Sequence, residues 1–326
     1  MNVSLEKKLK EPIKSYLDIY DNIYKESLKS EVKLINSIIN YIIKKKGKQL
    51  RPALCLLSAC MCGKPNDDTY RAAALIEMIH VATLIHDDVV DEAAIRRGWP
   101  SINRIWKNKL SVLVGDYMFS KALSNMIYLK NFDALSILSN TAERLSQGEI
   151  FQIEKSIKKN ITENSYFKMV SDKTASLFSA SCKVGAITTT ENIAKQKALF
   201  LFGEKFGLVF QIKDDLLDIV GNVEELGKPA GFDLKRNMVT LPLIYLFQNL
   251  SKHEVRKLKS KLNFHIKRSE LIEIKELIKE NRGIDLAEKK IRELSDQAIK
   301  DLELFENSIY KTALISALDF NYNRYK

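Results

Sequence analysis

The stretch His-Asp-Asp-Val-Val-Asp at residues 86–91, together with its counterpart Asp-Asp-Leu-Leu-Asp at residues 214–218, decides the fold and points to the chemistry. Each stretch follows an apolar run, which predicts that both lie on helices. At 3.6 residues per turn, the first and last aspartates of each Asp-Asp-x-x-Asp motif share one helix face. If two such helices face each other, at least four carboxylates converge.

Converging carboxylates need a counterion, because so much negative charge is not stable at close range. Hard oxygen ligands with open coordination positions suit Mg²⁺, which completes its shell with water or substrate phosphate. The alternative is a pair of solvated helix ends that carry ordinary acidic caps. One motif alone would leave these two interpretations evenly matched, whereas two motifs in hydrophobic helices favour a magnesium site.

The composition predicts an all-α protein. The 326 residues contain only 12 Gly and 6 Pro, and helix-favouring residues dominate, so we expect helices with short connections. Neither an internal repeat nor a low-complexity linker divides the sequence, which predicts a single domain over residues 1–326. There is no apolar run of about 18 residues and no secretory segment in residues 1–12, so the cytoplasm is the expected location. The four cysteines lack a metal-binding spacing and are expected to be buried thiols.

The helix boundaries follow from glycine and proline positions and from apolar periodicity. The predicted main helices cover residues 31–46, 51–62, 69–94, 111–128, 132–155, 165–188, 191–220 and 241–250.

The net charge of +11 is spread over separate lysine groups, and no nucleic-acid-binding module is recognisable. We therefore expect no nucleic-acid partner. A positive surface is explained as well by attraction of anionic substrates or of an anionic lipid surface. The positive charge is therefore compatible with peripheral association with a membrane.

Cationic residues accompany the aspartates along the sequence. His80 precedes Asp87 by seven residues, nearly two helical turns, and so falls on the same face. Arginine offers a planar fork suited to phosphate oxygens, and lysine offers a point charge. For His80 alone, a hydrogen-bonded core histidine is the alternative. Taken together, the pattern predicts a metal-bridged pyrophosphate site with separate cations for a second phosphorylated substrate.

The cations and aspartates form a set of motifs: Gly47-Lys48-x-x-Arg51-Pro52, His80 before Asp-Asp-x-x-Asp with Arg96-Arg97-Gly98 after it, Lys173-Thr174-Ala175, Gln211-x-x-Asp214-Asp215-x-x-Asp218 and Gly227-Lys228-Pro229. These motifs resemble those of the all-trans polyprenyl diphosphate synthases, in that family's order and spacing over most of residues 30–245. The nearest resemblance is to bacterial long-chain synthases of the octaprenyl type, which make quinone side chains. This resemblance implies an all-α helical bundle with a central substrate cavity, and a homodimer.

The resemblance also implies a role for each motif residue. The implied Mg²⁺ ligands, which bridge to an allylic diphosphate, are Asp87, Asp91, Asp214, Asp215 and Asp218. The implied contacts to isopentenyl diphosphate are Lys48, Arg51, His80 and Arg97. The implied contacts to the allylic diphosphate are Arg96, Lys173, Thr174, Gln211 and Lys228. The residues expected to act on the reacting bond are Asp87, Asp91, Lys173 and Asp214.

The implied reaction begins with cleavage of the allylic C–O bond, which leaves a carbocation and diphosphate. Mg²⁺, arginine and lysine would stabilise the departing negative charge. Apolar walls, Thr174 and Gln211 would shield the cation. The isopentenyl double bond then attacks, and the released diphosphate is a plausible proton acceptor.

Product length is expected to depend on the helix before Asp87. Ala82 and Thr83 are small where short-chain relatives often carry aromatic residues, so a slot could continue past Ile79 and Ile76 and hold a long prenyl chain. The alternative is that these residues are small only because a neighbouring helix packs closely there.

Three other functions were weighed against a long-chain synthase. A short-chain farnesyl or geranylgeranyl diphosphate synthase would share every motif. A terpene cyclase would need no isopentenyl site, which the set Lys48, Arg51 and His80 argues against. A non-catalytic subunit of a heteromeric prenyltransferase would be free to lose an aspartate, yet this chain retains each one.

Overall fold

The structure is a computed structural model. It describes residues 5–96, 98–158, 160–220, 234, 238–262 and 266–323.

The described chain is built of α-helices, and the all-α prediction is confirmed. Its only β-structure in these ranges is a two-residue hairpin of β1 (Ile95–Arg96) and β2 (Trp99–Pro100), antiparallel, with Arg96 opposite Trp99. The helices are α1 (Leu5–Lys10), α2 (Lys14–Ser27), α3 (Lys33–Lys44), α4 (Leu50–Cys62), α5 (Asp67–Val90), α6 (Ile102–Tyr128), α7 (Phe132–Lys158), α8 (Glu163–Val170), α9 (Ser176–Ile187), α10 (Ile193–Val220), α11 (Leu241–Asn249), α12 (Lys252–Lys261), α13 (Arg268–Glu280), α14 (Gly283–Asp301) and α15 (Ile309–Asn323). A 3-10 turn (Glu11–Ile13) joins α1 to α2, and a π turn (Ser171–Ala175) joins α8 to α9.

The helix that carries the first aspartate motif begins and ends differently from the prediction of residues 69–94. Asn66 caps α5 by accepting from the backbone N–H of Thr69 at 3.0 Å, so the helix starts at Asp67. It ends at Val90 because Glu92 adopts a left-handed φ of 50°, and the β1–β2 hairpin follows. The predicted extension to residue 94 was therefore wrong.

A second prediction also needs correction. One helix was expected over residues 165–188, but the π turn separates α8 from α9 there, and the N–H of Ser176 donates to the carbonyl of Ser171. Such wide turns inside helices often occur at functional sites. This one contains Lys173 and Thr174, two of the motif residues.

The chain divides into two compact units. Unit 1 comprises Met1–Ala142, Leu177–Gly203 and Asp301–Ala317, and unit 2 comprises Glu143–Ser176, Glu204–Lys300 and Leu318–Lys326. The prediction of one domain, and that of a central substrate cavity, stay predictions.

In unit 1, α5 packs against α2, α4 and α6. The approach of α6 is closest at Gly115, where an added Cβ would lie 2.1 Å from Nε2 of His86. The His86 ring stacks on Phe119 with centroids 6.1 Å apart. A side chain at position 115 would therefore displace the His86 ring, which packs between α6 and the end of α5 that bears the first motif.

In unit 2, buried apolar side chains hold α10 against its neighbours. Ile212 and Leu216, one turn apart, are buried with Tyr166 of α8 and with Leu241 and Ile244 of α11. Because these two residues alternate with the aspartates of the second motif, their burial fixes the rotation of α10 and hence the direction of the carboxylates.

Within the described ranges, we found no helix with the length and apolarity that a membrane span requires.

Candidate active site

The first aspartate motif occupies the last turn of α5. The backbone N–H of Asp91 donates to the carbonyl of Asp87 at 2.8 Å, and one turn earlier the Thr83 hydroxyl donates to the carbonyl of His80 at 2.8 Å. The side chains of His80, Thr83, Asp87 and Asp91 are all half-buried. The predicted helical spacing is therefore confirmed: His80, Thr83, Asp87 and Asp91 follow one another along a single face.

Asp88, the middle aspartate, has a different environment. Its side chain is only 4% exposed and accepts from Nε of Arg96 at 2.6 Å. Its backbone carbonyl accepts from the Ala93 N–H at 2.9 Å and from Nδ2 of Asn103 at 3.0 Å. The Asp88–Arg96 pair thus ties the hairpin to the end of α5. Arg96, expected on the allylic diphosphate, is held by a carboxylate in this structure.

Two of the residues expected to bind isopentenyl diphosphate lie together in unit 1. Nη1 of Arg51, in the first turn of α4, is 3.0 Å from Nε2 of His80 on α5. The Arg51 guanidinium also stacks on the Phe178 ring, 4.2 Å from its centroid. These contacts fix the plane of the guanidinium fork. A phosphate group can be bound by such a fork together with a neighbouring imidazole.

The loop that carries Lys48 is anchored by its neighbour Gln49. Gln49 has a left-handed φ of 49°, and its buried side chain donates to the Tyr20 hydroxyl at 3.2 Å and to Asp21 at 3.3 Å. Lys48 itself is exposed. A fixed loop with an exposed ammonium group suits capture of an anion from solvent.

In unit 2, Lys173 and Thr174 lie in the π turn. Nζ of Lys173 donates to Oε1 of Gln152 at 3.2 Å and forms an ion pair with Glu149. Gly148 lies directly behind the turn, since an added Cβ would be 2.7 Å from the backbone N of Lys173. A side chain at position 148 would therefore push the turn out of place.

A chain of hydrogen bonds joins this turn to the second aspartate motif. The Thr174 hydroxyl donates to Oε1 of Gln211 at 3.0 Å, and Nε2 of Gln211 donates to Oδ1 of Asp215 at 2.9 Å. The Tyr166 hydroxyl completes the chain, donating to Oδ2 of Asp215 at 2.6 Å. Both oxygens of the Asp215 carboxylate therefore accept hydrogen bonds from buried or half-buried partners.

The other two aspartates of this motif differ in burial. Asp214 is half-buried and Asp218 is buried, while Lys213, the residue directly before Asp214, is fully buried. Nζ of Lys275 donates to the backbone carbonyl of Asp218 at 3.1 Å. Burial lowers the pKa of Lys275, and the negative charge of Asp218 partly offsets that decrease.

A cavity of about 130 Å³ opens at the π turn. Its lining combines two lysines, hydroxyls, two amides and the Asp215 carboxylate with apolar walls, a mixture typical of ligand sites. It is lined by Gln152, Lys155, Ser156, Ile161, Tyr166, Met169, Val170, Lys173, Thr174, Gln211, Asp215, Met238, Val239 and Thr240.

The donor types fit Mg²⁺, although the described residues contain no ready-made group of three or more His, Cys, Asp or Glu side chains around one point. Carboxylate oxygens are the donors that Mg²⁺ prefers, and this ion usually keeps several waters and takes substrate phosphates as further ligands. One or two carboxylates from a motif are therefore enough for such a site.

The residues expected to control product length differ in exposure. Ile76, Ile79 and Ala82 are fully buried in the packing of α5, whereas Thr83 is half-buried on the face of Asp87. The burial of Ala82 is compatible with close helix packing, and the role of this residue in product length stays a prediction. Of the remaining motif residues, Arg97 and Lys228 lie outside the described residues.

Four residues of these surroundings were missed by sequence reasoning. Asp88 stood inside the first motif, but nothing in the pattern distinguished its role from that of its neighbours. Tyr166 occupies an apolar run and reads as a core residue. Glu149 and Gln152 precede Lys173 by more than twenty residues, and only the packing of α7 against the π turn brings them to it.

Comparison with known proteins agrees with this geometry. The pattern of the family described as polyprenyl synthetase matches residues 32–281. The chain belongs to this family and is a prenyltransferase.

Two relatives illustrate the likeness in sequence. The chain is 34% identical over 277 residues to the all-trans-nonaprenyl-diphosphate synthase (geranyl-diphosphate specific) of Rhodobacter capsulatus, covering 85% of each chain. It is 32% identical over 286 residues to the octaprenyl diphosphate synthase of Haemophilus influenzae, covering 86% of this chain and 87% of that one.

The fold agrees as well. The crystal structure of a polyprenyl synthase from Caulobacter crescentus CB15, complexed with calcium and isoprenyl diphosphate, superposes with a TM-score of 0.92 at 30% identity. The superposition covers 100% of this chain and 99% of that one.

Proposed function

We propose that the protein condenses isopentenyl diphosphate head to tail with an allylic diphosphate, and that repeated cycles give a long-chain polyprenyl diphosphate for a quinone side chain. The observation that carries the proposal is the contact between Arg51 and His80, on the face of α5 that also bears Asp87. A second phosphate site beside an aspartate motif suits an enzyme with two diphosphate substrates. A terpene cyclase ionises a single diphosphate and does not need a second phosphate site.

Aspartates of the two motifs are the proposed magnesium ligands. In unit 1 they are Asp87 and Asp91, and in unit 2 they are Asp214, Asp215 and Asp218. When bound, Mg²⁺ would neutralise charge on the allylic diphosphate and make it a better leaving group. Asp88 is not among the proposed magnesium ligands, because its buried carboxylate forms an ion pair with Arg96.

The cations of this chain have distinct proposed tasks. Arg51, His80, Lys48 and Arg97 hold isopentenyl diphosphate. In unit 2, Lys173, Thr174, Gln211 and Lys228 hold the allylic diphosphate, and Lys173 stabilises the negative charge that develops as the C–O bond breaks. To do so, Lys173 must exchange its ion pair with Glu149 for one with the diphosphate. Arg96, in unit 1, would bind diphosphate only after exchanging its ion pair with Asp88.

The order of the reaction follows from where charge appears. The allylic C–O bond breaks, and the cation at C1 is attacked by the isopentenyl double bond, which leaves a positive charge on the tertiary carbon. A proton is then lost from the adjacent carbon to the departing diphosphate. Apolar residues of the cavity, such as Met169 and Val170, exclude water that would otherwise capture the cation.

A homodimer is proposed on the exposed face of α6 and the start of α7. Leu123 and Ile127 lie one turn apart on α6 and are 56% and 73% exposed, and Leu113, nearer the start of this helix, is 54% exposed. Phe132 continues the apolar surface and is 85% exposed. A stripe of this kind on one protomer is what a second copy of the chain would cover.

A cytoplasmic location, with peripheral contact to a membrane where the product is used, is also proposed. All four cysteines are free thiols, as is common in a reducing compartment.

The reaction type is tested by incubating the enzyme with farnesyl diphosphate, with and without labelled isopentenyl diphosphate, and separating linear from cyclic products by gas chromatography after dephosphorylation. We expect label only in linear alcohols, and farnesyl diphosphate alone to stay largely intact. Cyclic hydrocarbon formed from farnesyl diphosphate alone would contradict the proposal.

A further inference from the structure

The π turn that presents Lys173 and Thr174 is clamped from its far side by a polar cluster. Nε of Arg144, on α7, donates to Oδ1 of Asp172 at 2.8 Å, and Nη2 donates to Oγ of Ser171 at 2.7 Å. The Ser171 hydroxyl in turn donates to Oε1 of Glu204 on α10. Nη2 of Arg144 lies 3.6 Å from the same Glu204 oxygen. All of these groups belong to unit 2.

The cluster lies where the helix widens into the π turn. The wide turn shifts the direction of each following side chain relative to a regular helix. At this turn, the first two side chains, Ser171 and Asp172, meet Arg144, and the next two reach Gln152 and Gln211. The Ser176 hydroxyl adds a bond to the Asp172 carbonyl at 2.6 Å, inside the turn.

The charges of the cluster suit a rigid support. One guanidinium meets two carboxylates, and its planar fork reaches an acid and a hydroxyl at once. Each of the three charged side chains is at most 25% exposed, so solvent screens them incompletely.

We propose that Arg144, with Ser171, Asp172 and Glu204, is a positioning cluster that sets the place of Lys173 and Thr174 for the prenyl transfer reaction. The four residues act through the turn and have no contact with substrate. The inference rests on the proposed function, since it assigns the turn to the allylic diphosphate.

The test is a double-mutant cycle on turnover. Arg144→Met keeps much of the side-chain volume but removes the fork, while Arg144→Lys keeps the charge. Arg292→Met is the matched control, because Arg292 on α14 forms an exposed pair with Glu288 at 3.7 Å, far along the sequence from the motifs. The same Arg144→Met change is then made in a Lys173→Met background.

We expect Arg144→Met to lower kcat about tenfold or more and to leave the KM for isopentenyl diphosphate within about twofold of wild type, because the cluster supports Lys173 and Thr174 in unit 2, whereas Arg51 and His80 belong to unit 1. Arg144→Lys should recover part of the rate. In the Lys173→Met background the same change should lower kcat clearly less than it does in wild type, because the effects of coupled residues are not additive and only the support of Thr174 remains to be lost.

Two outcomes would overturn the inference. One is a kcat for Arg144→Met equal to that of Arg292→Met, with wild type active. The other is an undiminished Arg144→Met effect in the Lys173→Met background, which would indicate general destabilisation. A wild-type enzyme that fails to elongate an allylic diphosphate would contradict the proposed function itself. Melting temperatures by circular dichroism identify any variant that is simply unfolded, and Ser171→Ala, a smaller change at the same cluster, then replaces it with the same expectations for kcat and coupling.

Discussion

The Tyr166 hydroxyl lies 2.6 Å from Oδ2 of Asp215 and donates a hydrogen bond to it, while Gln211 donates to the other oxygen of the same carboxylate. Tyr166 is 1% exposed and Asp215 is 4% exposed. Because a carboxylate oxygen has two lone pairs, this arrangement orients Asp215 without using all its acceptor capacity. The second motif thus contains an aspartate whose direction is set before any substrate arrives.

Removing the tyrosine hydroxyl should destabilise the protein. Tyr166→Phe leaves a buried carboxylate oxygen without that donor, which typically costs about 1–3 kcal/mol. The measurement is the free energy of unfolding from urea denaturation. Tyr128→Phe is the control, since Tyr128 is 68% exposed. An unchanged unfolding midpoint in Tyr166→Phe would show that the bond has no energetic importance.

Loss of the Arg51 fork should affect one substrate more than the other. In Arg51→Ala, the KM for isopentenyl diphosphate should rise about tenfold or more while the KM for the allylic primer changes little, because the Arg51–His80 pair serves a single site. Steady-state kinetics with each substrate varied in turn measure the two constants. Arg104→Ala, at an exposed arginine of α6, is the control. Equal increases in both constants would argue against separate sites.

A bulky residue on the Asp87 face of α5 should shorten the product. Thr83→Phe places a ring one turn before Asp87 on a half-buried side chain, so the ring has space to obstruct a growing prenyl chain. Reversed-phase chromatography of the dephosphorylated products should then give a distribution shifted toward farnesyl or geranylgeranyl chains.

Ala82→Phe serves as the comparison at the neighbouring position. Ala82 is fully buried, so the added ring should lower stability by about 1–3 kcal/mol through overpacking, besides any effect on chain length. A wild-type chain length in Thr83→Phe would refute the expectation that this face borders the slot.

The helices and the spacing of the motifs were predictable from the sequence because both depend on local periodicity. The aspartates of α5 and α10 and the break before Arg51 are examples. The end of α5 was not predictable, since it depends on the left-handed Glu92 and on the hairpin that Arg96 fastens to Asp88. Neither signal is visible in a pattern of apolar residues.

The partners of the motif residues were also beyond the sequence. Lys173 was recognised as a cation for phosphate, but its pairing with Glu149 depends on how α7 packs on the π turn. The π turn itself was read as continuous helix, because its residues have ordinary helical propensity. Contacts between distant segments arise from packing, and a single sequence does not specify them.

Alkaline pH should weaken the contribution of the buried thiols. Burial raises the pKa of Cys182 to about 12, and the neighbouring Ser58 hydroxyl opposes this increase. The unfolded chain loses the thiol proton near pH 9, whereas the folded chain retains it, so stability falls as pH rises between these values. The slope approaches about 1.4 kcal/mol per pH unit for one thiol.

The difference in unfolding free energy between wild type and Cys182→Ala isolates this contribution. It should be constant below about pH 8 and should decrease from there to pH 10.5, because only wild type carries the titrating thiol. Urea denaturation at several pH values measures it. A difference that is independent of pH would mean that the thiol titrates alike in both states.

The most direct test of the central claim is elongation of farnesyl diphosphate by labelled isopentenyl diphosphate, with product length measured by reversed-phase chromatography. With Mg²⁺ present, wild type should give polyprenyl chains well beyond geranylgeranyl. EDTA should abolish the reaction, and Asp87→Ala should lower the rate by about three orders of magnitude or more, since a lost ligand removes stabilisation of the leaving diphosphate. Asp133→Ala, at an exposed aspartate of α7, should behave as wild type. Undiminished elongation in EDTA, or the absence of any elongated chain in Mg²⁺, would contradict the account.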